Sequence, residues 1–275
     1  MGIKSLKTPL RYPGGKSRAL GKILTRFPDF ETITEFREPF IGGGSVSIEV
    51  TKNNPSVKIW VNDLYYPLYN FWIHLRDNSL NLYNSVKYLK NSHNTPEKAR
   101  ALFESSKVDI NMEQTSDFDK SVLFYILNKC SFSGLTEGSS FSEQASKSNF
   151  SLNNIEKLPG FGEIIKDWKI TNLDYSALLD SDPESFVYLD PPYEISTNLY
   201  GKKGDMHKSF DHDLFAKNMN KTSVRSLISY NVSDKVKNRF PNWTTSEFDH
   251  TYTMRSVGDY NEQQEDRKEL LLKNY

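Results

Sequence analysis

Residues 33–63 read ITEFREPFIGGGSVSIEVTKNNPSVKIWVND, and this stretch decides the fold. ITEFREPF (33–40) is a predicted strand that runs into Gly42-Gly43-Gly44, and Ser45 to Lys52 opens a helix. VKIWVND (57–63) is a second apolar strand closing on Asp63. Strand, glycine turn, helix, strand and acid in that order make half of a dinucleotide-type fold. Glycines after a strand let the backbone approach a ligand where a Cβ would collide. The spacing Gly42-x-Gly44-x-x-Ser47 departs from a strict dinucleotide fingerprint. Asp63, about 20 residues on and ending the next strand, suits the hydroxyls of a ribose, which both NAD and S-adenosylmethionine carry. The plainer alternative is a tight strand-to-helix turn followed by an unrelated exposed acid.

Outward from this stretch, DWKITNLDY (167–175), SFVYLDPPY (185–193), VRSLISYN (224–231), TSEFDHTY (245–252) and KELLLKNY (268–275) supply further strands. Thr8 to Lys16 reads as a loop leading into a helix from about Ser17 to Phe27. Between the two groups of strands the character changes: helical periodicity runs through 67–90, 96–106 and 117–129. Residues 131–151 follow, with eight serines, a composition that reads as a flexible loop. The expected organisation is an α/β catalytic domain with a mostly parallel central sheet from 1–65 and 161–275, interrupted by a helical insertion at 66–160.

Composition sets outer limits. At 275 residues, 25% charged and 37% hydrophobic, the chain reads as an ordinary globular protein. No run of eighteen apolar residues suggests a membrane span, and the N-terminal residues lack the apolar core of a secretory signal. With Cys130 as the only cysteine, no intrachain disulfide can form, and a reducing, cytoplasmic setting is expected. The five histidines are scattered without metal-ligand spacing, so no metal is expected. Net charge is zero, yet residues 1–26 hold seven cations and no acid, leaving the other 249 residues at −7. Clustered cations of that kind can meet phosphates even on a neutral protein, or form a merely solvated basic helix.

Asp190-Pro191-Pro192-Tyr193 follows an apolar strand, at the sheet edge where open α/β folds bind ligands. The lone pair of an aromatic amine is delocalised into its ring, which makes the amine a poor nucleophile. Two acceptors on its hydrogens pull it toward tetrahedral geometry. The Asp190 carboxylate and the Pro191 carbonyl, exposed by successive prolines, can serve as those acceptors. Tyr193 can stack on a base turned out of a duplex. Attack on a sulfonium methyl is an in-line displacement, so positioning supplies much of the rate. Thr8 to Ser17, TPLRYPGGKS, contains Gly-Lys-Ser but has Leu10 where a phosphate loop needs glycine, and nucleotide hydrolysis is rejected. The segment instead suits a loop whose Tyr12 covers a ligand while Lys16 meets its carboxylate, a group that methionine has and NAD lacks.

Tyr-Pro-Gly-Gly-Lys (12–16), Glu-Pro-Phe-x-Gly-Gly-Gly-Ser (38–45), Asn62-Asp63 and Asp-Pro-Pro-Tyr (190–193), in that order, resemble the Dam-type DNA adenine-N6 methyltransferases of bacteria and phages. The likeness extends through Asn128-Lys129, Phe132 to Leu135, Ile228 to Asn231, and Glu269-Leu270-Leu271. It implies a Rossmann-like class I methyltransferase fold, S-adenosyl-L-methionine as cofactor and double-stranded DNA as partner, with no obligatory protein partner inferred. It further implies cofactor contacts from Tyr12, Lys16, Asp63 and Asp190, a lining from Glu38, Pro39 and Phe40, and Asp174-Tyr175 near the adenine moiety. The helical insertion and the hairpin after Asn128-Lys129 would read DNA, with Phe132 wedged into the duplex, Ser133 beside it, and Lys129, together with Arg11 of the basic N-terminal segment, adding contacts.

The sequence departs from the family in one place. Members that read GATC carry arginine soon after the Gly-Leu pair, suited to bidentate contact with guanine. Here Thr136-Glu137-Gly138 follows Gly134-Leu135, and no arginine occurs between Arg100 and Arg225. A recognition sequence other than strict GATC is expected, read partly by Gln144, Lys147 and Asn149. The competing readings are a methyltransferase acting on RNA adenine or a protein amide, and a silent DNA-binding decoy, for which an intact tetrad and Lys16 have no physical purpose.

Overall fold

The computed structural model describes residues 6–134, 138–194, 209–249 and 268–275. Within them, strands β1 (Glu35–Glu38), β2 (Lys58–Asn62), β3 (Lys169–Thr171), β4 (Ser185–Leu189), β5 (Arg225–Asn231), β6 (Thr244–Asp249) and β7 (Lys268–Lys273) form one sheet ordered β3-β2-β1-β4-β5-β7-β6. The pairs β3-β2, β2-β1, β1-β4 and β4-β5 are parallel, and β7 lies antiparallel between β5 and β6. Each strand read from the sequence is present within a few residues. His250 to Tyr252, read as the end of β6, lie outside the described residues.

Alternation along β4 shows why it sits at the centre. Phe186 and Tyr188 join the larger apolar core, while Val187 and Leu189 point into a second core on the other face. The larger core is closed by α1 (Leu20–Leu24), α2 (Ser45–Asn53) and a helical run placed in the chain between β2 and β3. That run comprises α3 (Tyr66–Asp77), α4 (Ser79–Ser92), α5 (Pro96–Asp109), α6 (Asp117–Cys130), α7 (Glu143–Ser148), α8 (Leu152–Ile155) and α9 (Leu158–Ile165). The second core is covered by α10 (His212–Met219) and α11 (Asp234–Arg239). Strand order reverses between β1 and β4, which opens a crevice at their carboxyl ends.

Local chemistry explains the helix limits. The Thr95 and Ser116 side chains accept from the Lys98 and Asp119 amides, capping α5 and α6. Pro67 and Pro96 stand in the first turns of α3 and α5, where a missing N–H costs nothing. The periodic stretch 67–90 is two helices, broken at Asn78. The expected helix over 17–27 is shorter, a 3₁₀ turn at Lys16–Arg18 followed by α1. Helix α9 crosses residue 160, where the sequence reading returns to the sheet, and packs against α2, α3 and α4.

The serine-rich stretch differs most from expectation. It contains a bridge between Ser131 and Phe141, followed by α7. Its serines serve as local hydrogen-bonding groups: Ser142 caps α7 through the Ala145 amide, and Ser139 Oγ donates to the Phe132 carbonyl. Part-buried Phe141 at its middle and buried Phe150 near its end anchor it in the core. Composition alone does not reveal that such hydroxyls close a compact turn.

Candidate active site

At the crevice lies a cavity of about 320 Å³, within the range of small-molecule sites. Tyr12, Lys16, Glu38, Pro39, Phe40, Asp63, Asp174 and Asp190 all line it, so one pocket gathers every residue expected to touch a cofactor. The glycine turn forms its floor. Gly42 and Gly44 have φ of 48° and 68°, and an added Cβ would stand 2.8 Å from the Tyr12 ring at Gly42 and 2.6 Å from the Trp72 indole at Gly44. Asp63 holds this turn by accepting from the Gly42 amide at 3.1 Å and the Tyr65 amide at 3.0 Å. Asn62 ties three strand ends together: its amide nitrogen donates to the Pro39 and Leu173 carbonyls, and its oxygen accepts from the Leu173 amide. Phe40 stacks on Tyr175 at 5.6 Å, with Phe210 edge-on at 5.8 Å, to make an aromatic wall.

The pocket is acidic. Glu38 is buried and accepts from both the amide and the hydroxyl of Ser47. Burial pushes its pKa up to about 8, with the charges of Asp190 and Asp63 adding to the rise. Burial likewise moves Asp63 up to about 6. Carboxyl groups held this way, beside an aromatic wall, suit a ligand that carries hydroxyls and a ring. Exposed Asp174 departs from this pattern, since its carboxylate caps the turn Tyr175–Leu178 by accepting from Ser176.

Asp190 leaves β4 at the centre of a charged cluster. Lys16 is 3% exposed, and its ammonium lies 2.8 Å from Asp190 Oδ1 and 3.2 Å from Glu269 Oε1 while donating to the Gly14 carbonyl at 2.9 Å. Lys16, read as meeting a ligand carboxylate, lines the cavity and directs N–H groups at these protein acceptors. Ser229 Oγ donates to Asp190 Oδ1 at 3.0 Å and shares a 2.7 Å hydrogen bond with the Tyr188 hydroxyl. Among the described residues both bonds to Asp190 end on Oδ1, which leaves Oδ2 for a substrate. Burial raises the Asp190 pKa; Lys16 opposes the rise and Glu269 adds to it. The Tyr193 ring stacks on Tyr230 at 5.6 Å, and its hydroxyl donates to Glu269. Pro192 reaches the cavity, while Pro191 is buried behind it.

An acid-Pro-Pro-aromatic turn at the sheet reversal, beside an acidic pocket, is the geometry of amine methylation, and the sequence comparison agrees. Residues 12–262 match the D12 class of N6 adenine-specific DNA methyltransferases. The chain belongs to this family. Among relatives, the modification methylase StsI of Streptococcus sanguinis is 27% identical over 99% of the chain, and the chain spans 43% of that protein's length. The type II methyltransferases M.MjaIII of Methanocaldococcus jannaschii and M1.LlaDCHI of Lactococcus lactis subsp. cremoris are each 24% identical, over 69% and 76% of the chain and 70% and 73% of their own lengths.

In this D12-class chain the residues read as meeting DNA divide into two groups. Phe132 is 41% exposed on a pinned backbone, since its amide donates to the Ser140 carbonyl and its own carbonyl accepts from Ser139. Gln144 and Lys147 are exposed three residues apart on α7, hence on one face, and half-buried Asn149 caps that helix. Lys147 pairs with Glu143 across open solvent, a contact too weak to withhold it from a phosphate or base. Arg11 and Lys129 turn inward. Arg11 donates to the Ser131 carbonyl at 2.9 Å, and Asn128 bonds both its amide and its carbonyl. Lys129 is buried with its ammonium over the Tyr125 ring, and burial lowers its pKa to about 7. Lys129 is therefore not a surface cation, while Arg11 is half-buried. The Ser133 side chain, and Lys202, Lys203, His207 and Lys208 after the tetrad, lie outside the described residues. Among the described residues no helix is long and apolar enough to cross a membrane.

Proposed function

We propose that this chain is a site-specific enzyme that methylates N6 of an adenine turned out of double-stranded DNA, with S-adenosyl-L-methionine as the donor. The observation that carries this reading is Oδ2 of Asp190 at the pocket, which no described residue engages, on a carboxylate whose other oxygen is held by Lys16 and Ser229. The donor supplies a methyl group activated by its sulfonium charge. Tyr12, Glu38, Pro39, Phe40, Asp63 and Asp174, which line the cavity, would hold it, and Asp63 would meet its ribose hydroxyls. Asp190 Oδ2 and the Pro191 carbonyl accept the two amine hydrogens, and Tyr193 stacks on the flipped base. As the N–C bond forms, the amine becomes cationic and sheds a proton, which Asp190 accepts. The carboxylate must be ionised to begin, so the rate falls as pH drops through an Asp190 pKa lying above the ordinary carboxylate range.

Helices 66–160 form the target-recognition region in this proposal. Phe132 is its wedge, and Gln144, Lys147 and Asn149 are its readers of a sequence other than strict GATC. Phe132→Ala is expected to slow methylation of a duplex far more than of an oligonucleotide whose target adenine is mismatched. A mismatch has already met part of the flipping cost of a few kcal/mol. Equal slowing on both substrates would remove Phe132 from the mechanism.

Cofactor binding supplies the direct test of the pocket. Calorimetry is expected to show S-adenosyl-L-methionine and its demethylated product binding, and neither ATP nor NAD. Asp63→Ala weakens that binding by roughly 1–3 kcal/mol, the size of a lost hydrogen bond to a charged group. Wild-type affinity is expected to decline as pH falls through about 6, where Asp63 takes up a proton, and this decline is absent in Asp63→Ala. Unchanged affinity in the variant would place the cofactor elsewhere.

A further inference from the structure

Glu269 stands 253 residues from Lys16 in the chain and is fully buried on β7, beside β5. One of its oxygens, Oε1, is 3.2 Å from the Lys16 ammonium and accepts the Tyr193 hydroxyl. Lys16 in turn contacts Asp190, and Tyr193 belongs to the same tetrad as Asp190. A carboxylate with no exposure is costly to retain unless its partners require it. The cluster also carries one more negative charge than positive, so a plain stabilising role does not account for Glu269.

We propose that Glu269 is the positioning residue of the methyl-transfer site, fixing the Tyr193 ring and holding the Lys16 ammonium between two carboxylates. The inference rests on the reading of Asp190 as acceptor of the adenine amine. Two consequences follow from the geometry. Shared between Asp190 and Glu269, Lys16 neutralises Asp190 only in part, which keeps that carboxylate basic enough to take the amine proton. The Tyr193 hydroxyl, anchored on Glu269, helps fix the rotation of a ring that also stacks on Tyr230 and lies 4.9 Å from the Lys16 ammonium. The groups that face Asp190 are Lys16 from the N-terminal loop, Glu38 from β1, Tyr188 from β4, Ser229 from β5 and Glu269 from β7.

Glu269→Gln keeps the shape and an acceptor for Tyr193 but removes the charge. A like charge raises a carboxylate's pKa, so its loss is expected to lower the Asp190 titration midpoint by roughly one pH unit. Carboxyl ¹³C resonances of aspartate-labelled protein, with Asp190 assigned through Asp190→Asn, report that midpoint without any need for activity. The acid limb of kcat/KM moves down with it, and kcat at the optimum falls by roughly 10- to 100-fold as Tyr193 loses its fixed angle. A midpoint and acid limb that stay at their wild-type pH in folded Glu269→Gln would overturn the proposal. Glu269→Asp provides the second arm, since it keeps the charge and shortens the reach: kcat is expected to fall while the midpoint stays in place. Wild-type kcat in that variant overturns the positioning role even if Glu269→Gln does not fold. If the wild-type chain methylates no adenine, the reading of Asp190 fails, and the carbon titration still reports separately on the Glu269–Lys16–Asp190 linkage.

Discussion

Asp190→Ala lowers turnover by about 10²-fold or more, the scale of one preorganised polar group at a reacting atom, and leaves the chain folded. The loss of rate follows from Oδ2, the carboxylate oxygen that can both accept the amine hydrogen and take its proton. The retained fold follows from charge. Lys16 faces two carboxylates, and removing one leaves it paired with buried Glu269. The melting temperature of the variant is therefore expected to equal or exceed that of the wild type. Near-wild-type turnover in soluble Asp190→Ala would falsify the assignment of the acceptor.

Lys16→Met has the larger effect on the protein itself. Lys16 is the cation between part-buried Asp190 and fully buried Glu269, and both carboxylates lose it when it goes. Breaking a buried ion pair from one side costs about 3–5 kcal/mol. The cost depends on pH in a definite direction. Without the ammonium, both carboxylates bind their protons more tightly in the folded chain than in the unfolded one. Stability is then highest in acid and is lost as pH rises above the unfolded carboxylate range of about 4. Denaturant unfolding between pH 5 and 8 is expected to show Lys16→Met weakening steadily relative to the wild type. A constant difference across that interval would mean that the two carboxylates are not coupled through Lys16. Turnover is lost in this variant as well, because Asp190 is protonated over more of the working range.

How far the sequence foretold the site depends on the kind of information each residue carries. Strand periodicity and turn chemistry are local, so β1, β2 and β4 and the glycine turn at Gly42 to Gly44 could be read in place. The four ordered motifs carried the pocket, because each sits at a strand end that the α/β sheet brings to one edge. Glu269 was visible as part of a motif but not as a partner of Lys16, since nothing local links β7 to the N-terminal loop. Arg11 and Lys129 show the opposite limit. Charge was legible, but whether a cation faces water or the interior depends on what packs over it, here Ser131, Asn128 and Tyr125. The serine-rich stretch was misread for a related reason, because a hydroxyl that caps a helix and one that is merely solvated look alike in composition.

The most direct measurement incubates the purified chain with plasmid DNA and methyl-labelled S-adenosyl-L-methionine, digests the DNA to nucleosides and identifies the labelled species. Label is expected in N6-methyldeoxyadenosine with the wild-type chain, at a defined sequence when the plasmid is mapped, and to fall with Asp190→Ala. Label in a cytosine derivative, or no incorporation into DNA by folded, cofactor-binding protein, would contradict methyl transfer to adenine N6 at the Asp190 site.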